Sequence, residues 1–253
     1  MKKEIDIFFT ALMFFTRIPC PKWIGHDPEY LRQSSKYFPL VGIVVGAIGA
    51  LIFYLSLFVF SKDISILLSM AATIYTTGAF HEDGFADVCD GFGGGWTKEK
   101  ILLIMKDSRL GTYGVIGLIL LLGLKFSVLL QVPSSLIPLV LISGHAASRF
   151  IATTLIYTHQ YVRDTDNSKA KPAAKTMSFG MLCIGGLFGL APMLFFQQPL
   201  LLLVLLPMYM GKLFLGQKFN KWIGGQTGDC AGAVQQLTEV IFYLSLIVLW
   251  RFI

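Results

Sequence analysis

Charge is scarce in this chain. Of 253 residues only 14% are Asp, Glu, Lys or Arg, where a soluble domain carries about 25%. With 55% of residues hydrophobic, that shortage excludes an ordinary soluble fold. Cysteine is sparse too. Cys20, Cys89, Cys183 and Cys230 are scattered and form no C-x-x-C, so neither a zinc site nor a disulfide framework is indicated. No G-K-[ST] follows any of the glycine runs, which excludes a P-loop. The net charge of +6 is no pointer to nucleic acid, because a membrane protein gathers such an excess in basic loops on one side. No separate soluble domain, linker or low-complexity stretch interrupts the chain, which reads as one integral-membrane domain over 1–253.

What is abundant is long apolar sequence. Spans of the roughly 20 residues that cross a bilayer are expected at about 38–60, 64–80, 110–132, 135–157, 177–196, 199–215 and 232–252. Backbone groups in lipid must pair within their own segment, so these are helices. The fold class is therefore an all-α polytopic membrane protein with about seven transmembrane helices. The N-terminal run from Ile7 to Thr16 is too short to span. Glu4 and Asp6 break the basic start of a signal peptide, and no small-residue cleavage site precedes Arg17. It is expected to lie in the membrane interface. With the N-terminus in the cytoplasm, only Lys62 and Arg251 fall outside, and Lys125 and Arg149 within spans; the rest of the 21 basic residues are cytoplasmic. That asymmetry obeys the positive-inside rule. It also brings three loop regions, near 81–110, 158–176 and 216–231, to one face.

The first region holds the strongest chemical signal. Four of the chain's 15 acidic residues lie between 82 and 90, and Asp83, Asp87 and Asp90 are spaced i, i+4, i+7. On a helix they form one stripe, where like charges repel and call for a cation. Oxygen ligands without thiolates favour a hard ion, Mg²⁺ or Mn²⁺. A solvated helix end would explain one or two acids better than three with Glu82 and His81 alongside. Gly84 inside this stretch costs about 1 kcal/mol relative to Ala, which suits either close approach of a ligand or helix packing. Gly91 to Gly95, Gly94 among them, are expected to end the helix and can aim N–H groups at phosphate. Thr97 is placed to cap a short helix over about 98–107. Lys106 and Arg109, near its end, read either as ordinary loop bases or as a clamp on nucleotide phosphates.

Two further places stand out. Arg149 sits inside a span with His145 one turn before it, and a charge there needs an interior partner or a substrate phosphate. The run Gly224-Gly225-Gln226-Thr227-Gly228-Asp229 is a tight turn entering the last span. Thr227 could bond phosphate there, and Asp229 could add a metal ligand.

These residues carry a resemblance. FFTRIP at Phe14 to Pro19 and YFPLVG at Tyr37 to Gly42 come first. Then follow His81, Asp83, Gly84 and Asp87 with Asp90, Gly91, Gly93, Gly94 and Gly95. IMKDSRLGTYG runs from Ile104 to Gly114, and GGQTGD from Gly224 to Asp229 with Glu239 beyond it. Together they resemble the cobalamin synthase, or adenosylcobinamide-GDP ribazoletransferase, family over nearly the whole chain. Cys89 and Cys230 stand where small or apolar residues are expected, which argues against functional thiols. The resemblance implies transfer between adenosylcobinamide-GDP and α-ribazole or its 5′-phosphate, with GMP released, in the inner membrane of a bacterium or archaeon. The site would face the cytoplasm. It implies Mg²⁺ on Asp83 and Asp87, with Asp229 as a further ligand, and phosphate on Lys106 and Arg109. Asp90, by analogy with related lipid enzymes, or His81 would be the general base. Membrane lipid surrounds the chain, and assembly with further copies stays open. The runner-up is a CDP-alcohol phosphotransferase, whose D-x-x-D-G-x-x-A-R pattern fails at Ala86-Asp87. A UbiA-type prenyltransferase would need two D-D-x-x-D-like motifs. A transporter, from another class, would place its charges near the midplane.

Overall fold

The computed structural model describes residues 2–25, 27–163 and 177–252. Among these every regular element is a helix, as expected of an all-α polytopic membrane protein. Six helical stretches are long and apolar enough to cross a bilayer: Pro28–Ser56, Thr112–Leu129, Ile137–Thr158, Phe179–Phe196, Pro199–Ile223 and Gly228–Leu249. A seventh candidate is a pair, Lys62–Thr77 and Phe80–Gly94, bent by 87°.

The chain begins with α1 (Lys2–Phe15), 14 residues that are too short to span and that bury Ile7, Ala11, Leu12 and Phe15. Asp27 caps α2 (Pro28–Ser34) by accepting from the Glu29 N–H. A turn of 3₁₀ helix leads into α3 (Phe38–Ser56). α3 packs most extensively on α8 (Ile137–Thr158), and small residues let the two backbones approach closely. A methyl at Gly46 would stand 2.7 Å from the Ile142 Cα. α4 (Lys62–Thr77) returns beside α3, where Ser69 donates to the Gly49 carbonyl at 2.8 Å. Lys62, the first residue of α4, donates to the carbonyls of Leu130 and Val132 at 2.7 and 2.6 Å. It thereby satisfies carbonyls just past the end of α7 (Thr112–Leu129), a favourable place for a cation.

At Gly78 and Ala79 the backbone turns left-handed, with φ of 64° and 57°. This ends α4 and starts α5 (Phe80–Gly94) almost at right angles. The second span and the acidic stretch are thus separate helices. The glycine run ends α5 as expected: Gly94 is its last residue and Gly95 its C-cap, while Gly91 and Gly93 lie in its last turn. Gly91 meets Met105 and Gly93 meets the Tyr113 ring, so these glycines make room for neighbours. Thr97 caps α6 (Lys98–Ile104) as expected, accepting from the Lys100 N–H at 3.3 Å.

After α8 come α9 (Phe179–Leu190) and two 3₁₀ segments, Ala191–Phe196 and Pro199–Val204, with proline near the start of each. α10 (Leu205–Ile223) and α11 (Gly228–Leu249) complete the bundle. α10 runs eight residues past the 215 expected for its span, up to a left-handed Gly224.

Candidate functional site

α5 is the floor of the site. Its buried side, His81, Gly84, Val88 and Gly91 among others, packs on α11 and α7. The remaining side carries the carboxylates. Asp83 and Asp87 line a cavity of about 280 Å³ whose other walls are Met105, Lys106, Asp107, Ser108, Arg109 and Leu110. The structure therefore joins two predicted metal carboxylates to both predicted phosphate cations. Arg109 is not idle: its guanidinium makes a two-point bond with Asp107, at 3.0 and 2.6 Å. That bond and the Arg109 N–H hold the Asp107 carboxyl down at about 2. Asp107 therefore stays ionised at neutral pH and balances Arg109 until another anion competes.

Asp90 is committed elsewhere. Its two oxygens accept from the Gly111 and Gly114 N–H groups, both at 2.8 Å. Gly111 is the N-cap position of α7 and has no side chain to cap it. Asp90 supplies the cap from a neighbouring helix, where carboxylates are favoured. A methyl on either glycine would collide with this carboxylate. Asp90→Ala is expected to destabilise the protein by about 2 kcal/mol, the scale of charge-assisted hydrogen bonds. The check is the thermal midpoint of the purified protein, and an unchanged midpoint would exclude the capping role.

His81, the other base candidate, is 1% exposed. It stacks on the Phe38 and Phe15 rings at 5.4 and 6.5 Å, away from the cavity walls. Gly84 sits where a methyl would stand 3.0 Å from the Asp229 Cα, so it serves helix packing. Gly94 has only an ordinary contact with Ile104. Thr227 is fully buried and caps α11, accepting from the Cys230 N–H at 3.3 Å. Arg149 is 1% exposed inside the bundle, donating to the His145 carbonyl at 3.0 Å. The structure brings neither Thr227 nor Arg149 to the cavity.

Asp229, in the first turn of α11, does approach α5 through the Gly84 contact. Its partner is one that the sequence did not disclose. Arg163 reaches Asp229 at 2.7 Å and donates to the Met105 carbonyl at 3.0 Å. In the sequence it is one loop base among many. Its placement depends on a bridge between segments more than sixty residues apart: Gln226 N–H donates to the Gln160 carbonyl, and Val162 N–H to the Gln226 carbonyl, at 2.8 and 3.0 Å. Gly225 has no side chain because the Gln160 carbonyl lies against it.

The fit of a divalent ion can be judged from these positions. Among the described residues, no three of His, Cys, Asp and Glu stand together as a complete cage. Mg²⁺ does not need one, since it is held by one or two carboxylates plus substrate phosphates. Asp83 and Asp87 on one cavity wall fit that pattern, while Asp229 is taken by Arg163.

The family described as cobalamin-5-phosphate synthase matches residues 7–247. A protein of Shewanella frigidimarina is 44% identical over 249 residues, 97% of this chain and 95% of its own length. One from Shewanella pealeana is 45% identical, covering 98% and 97%. One from Shewanella oneidensis is 45% identical, covering 97% and 95%. Each is named adenosylcobinamide-GDP ribazoletransferase. No solved structure matches the chain.

Proposed function

The chain belongs to the cobalamin-5-phosphate synthase family and is a membrane-bound transferase; from that premise we propose that it joins adenosylcobinamide-GDP to α-ribazole or its 5′-phosphate. The ribose 3′-oxygen attacks the phosphorus that bears the cobinamide. A new P–O bond forms there, the diphosphate P–O bond breaks, and GMP leaves. The observation that carries this reading is the cavity in which Asp83 and Asp87 face Lys106 and Arg109. Diphosphate cleavage needs such opposed groups, because positive charge must meet the leaving phosphate.

Asp83 and Asp87 are the residues that would hold Mg²⁺, which when bound supplies the divalent charge that diphosphate chemistry calls for. Lys106 meets the phosphates as a point charge. Arg109 exchanges Asp107 for a phosphate oxygen, a swap between two acceptors that suit its planar fork. The proton of the attacking hydroxyl passes to a cavity carboxylate, Asp83 or Asp87. Asp90 acts by position, fixing the start of α7 and with it the loop that presents Lys106 and Arg109. We place the cavity at the cytoplasmic face of the inner membrane, where the basic loops of the chain would gather.

The test is GMP release from adenosylcobinamide-GDP and α-ribazole by the protein in unsealed detergent micelles with Mg²⁺. Stoichiometric GMP and a new corrinoid product are expected. Release from a CDP-alcohol instead would indicate the lipid enzyme. Activity confined to sealed vesicles would indicate transport.

A further inference from the structure

Arg163 joins three pieces of chain. Its backbone follows the bridge between residues 160–162 and Gln226. Its guanidinium holds Asp229 at the start of α11 and the Met105 carbonyl at the start of the Lys106–Leu110 wall. It is largely buried, 16% exposed, and so is Asp229, at 21%. The Arg163 Nε is buried and makes no hydrogen bond among the described residues. The electrostatic setting explains why a cation belongs there. Asp87 feels the negative charges of Asp229, Asp83 and Asp90, and Arg163 is the opposing positive charge. Without it, carboxylates from α5 and α11 would face one another uncompensated, at a spacing where partial burial makes repulsion strong.

We infer that Arg163 is a built-in counter-cation of the carboxylate site, which positions Asp229 and the 105–110 wall and competes with a divalent ion for Asp229. The inference rests on the proposed reading of Asp83 and Asp87 as the ion's carboxylates, with Asp229 a further ligand that an ion would gain only by displacing Arg163. A guanidinium and a divalent cation answer the same need for positive charge, and one carboxylate cannot serve both at full strength. Arg163 thus keeps the site assembled before an ion arrives and sets how tightly that ion is held. Were an ion to take Asp229, Arg163 would keep the Met105 carbonyl at the start of the 105–110 wall.

The experiment uses the full chain in lipid nanodiscs with Mn²⁺ alone, free Mn²⁺ being read by electron paramagnetic resonance. Arg163→Gln removes the charge and keeps a donor for the Met105 carbonyl. It is expected to tighten Mn²⁺ binding about tenfold, since one positive charge near the ion is gone. Arg163→Lys keeps the charge and is expected to bind Mn²⁺ as the unaltered protein does. A merely structural arginine would give unchanged or weaker binding in Arg163→Gln, and that result overturns the inference. So does equal tightening in both variants, or no Mn²⁺ binding by the unaltered protein. Failure of the transferase reading shows differently, as absence of GMP release from the unaltered protein while the Mn²⁺ comparison still holds.

Discussion

Asp87→Asn is expected to lower GMP release by about 10³-fold, on the scale of losing one preorganised electrostatic group from an active site, while the protein keeps or gains thermal stability. The two halves of that expectation have one cause. Asp87 is partly buried on the α5 stripe, with Asp83 one turn before it and Asp229 across the helix contact. Clustered like charges oppose folding, so an amide of the same shape relieves repulsion. The same charge is what a divalent ion or a transferred proton requires. Asp83→Asn should behave alike, whereas Asp107→Asn, which only frees Arg109, should change the rate far less. Steady-state GMP release and thermal midpoints, measured on the same preparations, decide the matter. A rate within tenfold of the unaltered protein at Asp87→Asn would remove Asp87 from the chemistry. A parallel collapse of the midpoint would make it a structural residue instead.

What was legible in the sequence was local. Apolar runs gave the spans, and the threonine before a short helical segment gave the cap at Thr97; Thr227, read as a phosphate contact, caps α11 instead. The 3.6-residue period placed Asp83 and Asp87 together on one wall. The misread residues owe their position to distant parts of the chain. Asp90 shares the stripe of Asp87, yet the N-terminus of α7, more than twenty residues on, claims both its oxygens. Gly91 to Gly95 do end α5, but the neighbours that Gly91 and Gly93 make room for, Met105 and Tyr113, come from further along the chain. Arg163 carries no motif, and nothing local marks it off from the other loop bases. Arg149 was read two ways, and its burial beside His145 selects the interior partner. Local pattern therefore found the acidic half of the site, while its linkage came only from tertiary packing.

Replacement of Glu239 should have the largest effect on stability. Glu239 is fully buried in α11 and forms an ion pair with Lys125 of α7. It also accepts from Gln235 at 2.6 Å and from Tyr243 at 3.0 Å, and lies 3.3 Å from His145 of α8. One carboxylate thus serves three helices. Glu239→Ala would leave a lysine and two hydrogen-bond donors buried without their acceptor, at a cost of about 3–5 kcal/mol for breaking such a pair from one side. Loss of folded protein from the membrane and a large fall in thermal midpoint are expected. Lys125→Met alone should cost a similar amount, because it strands the carboxylate. The double variant Lys125→Met, Glu239→Gln should be markedly more stable than the sum of its parts, as coupled partners require; strict additivity would mean that the pair does not interact. The same network bears on catalysis at a distance. Gln236, next to Gln235, donates to Glu82 of α5 at 2.9 Å, so α11 is tied to the helix that carries Asp83 and Asp87. A double variant that folds and releases GMP at the unaltered rate would show that holding α11 in register against α5, and not charge at Glu239 itself, is what the cavity needs.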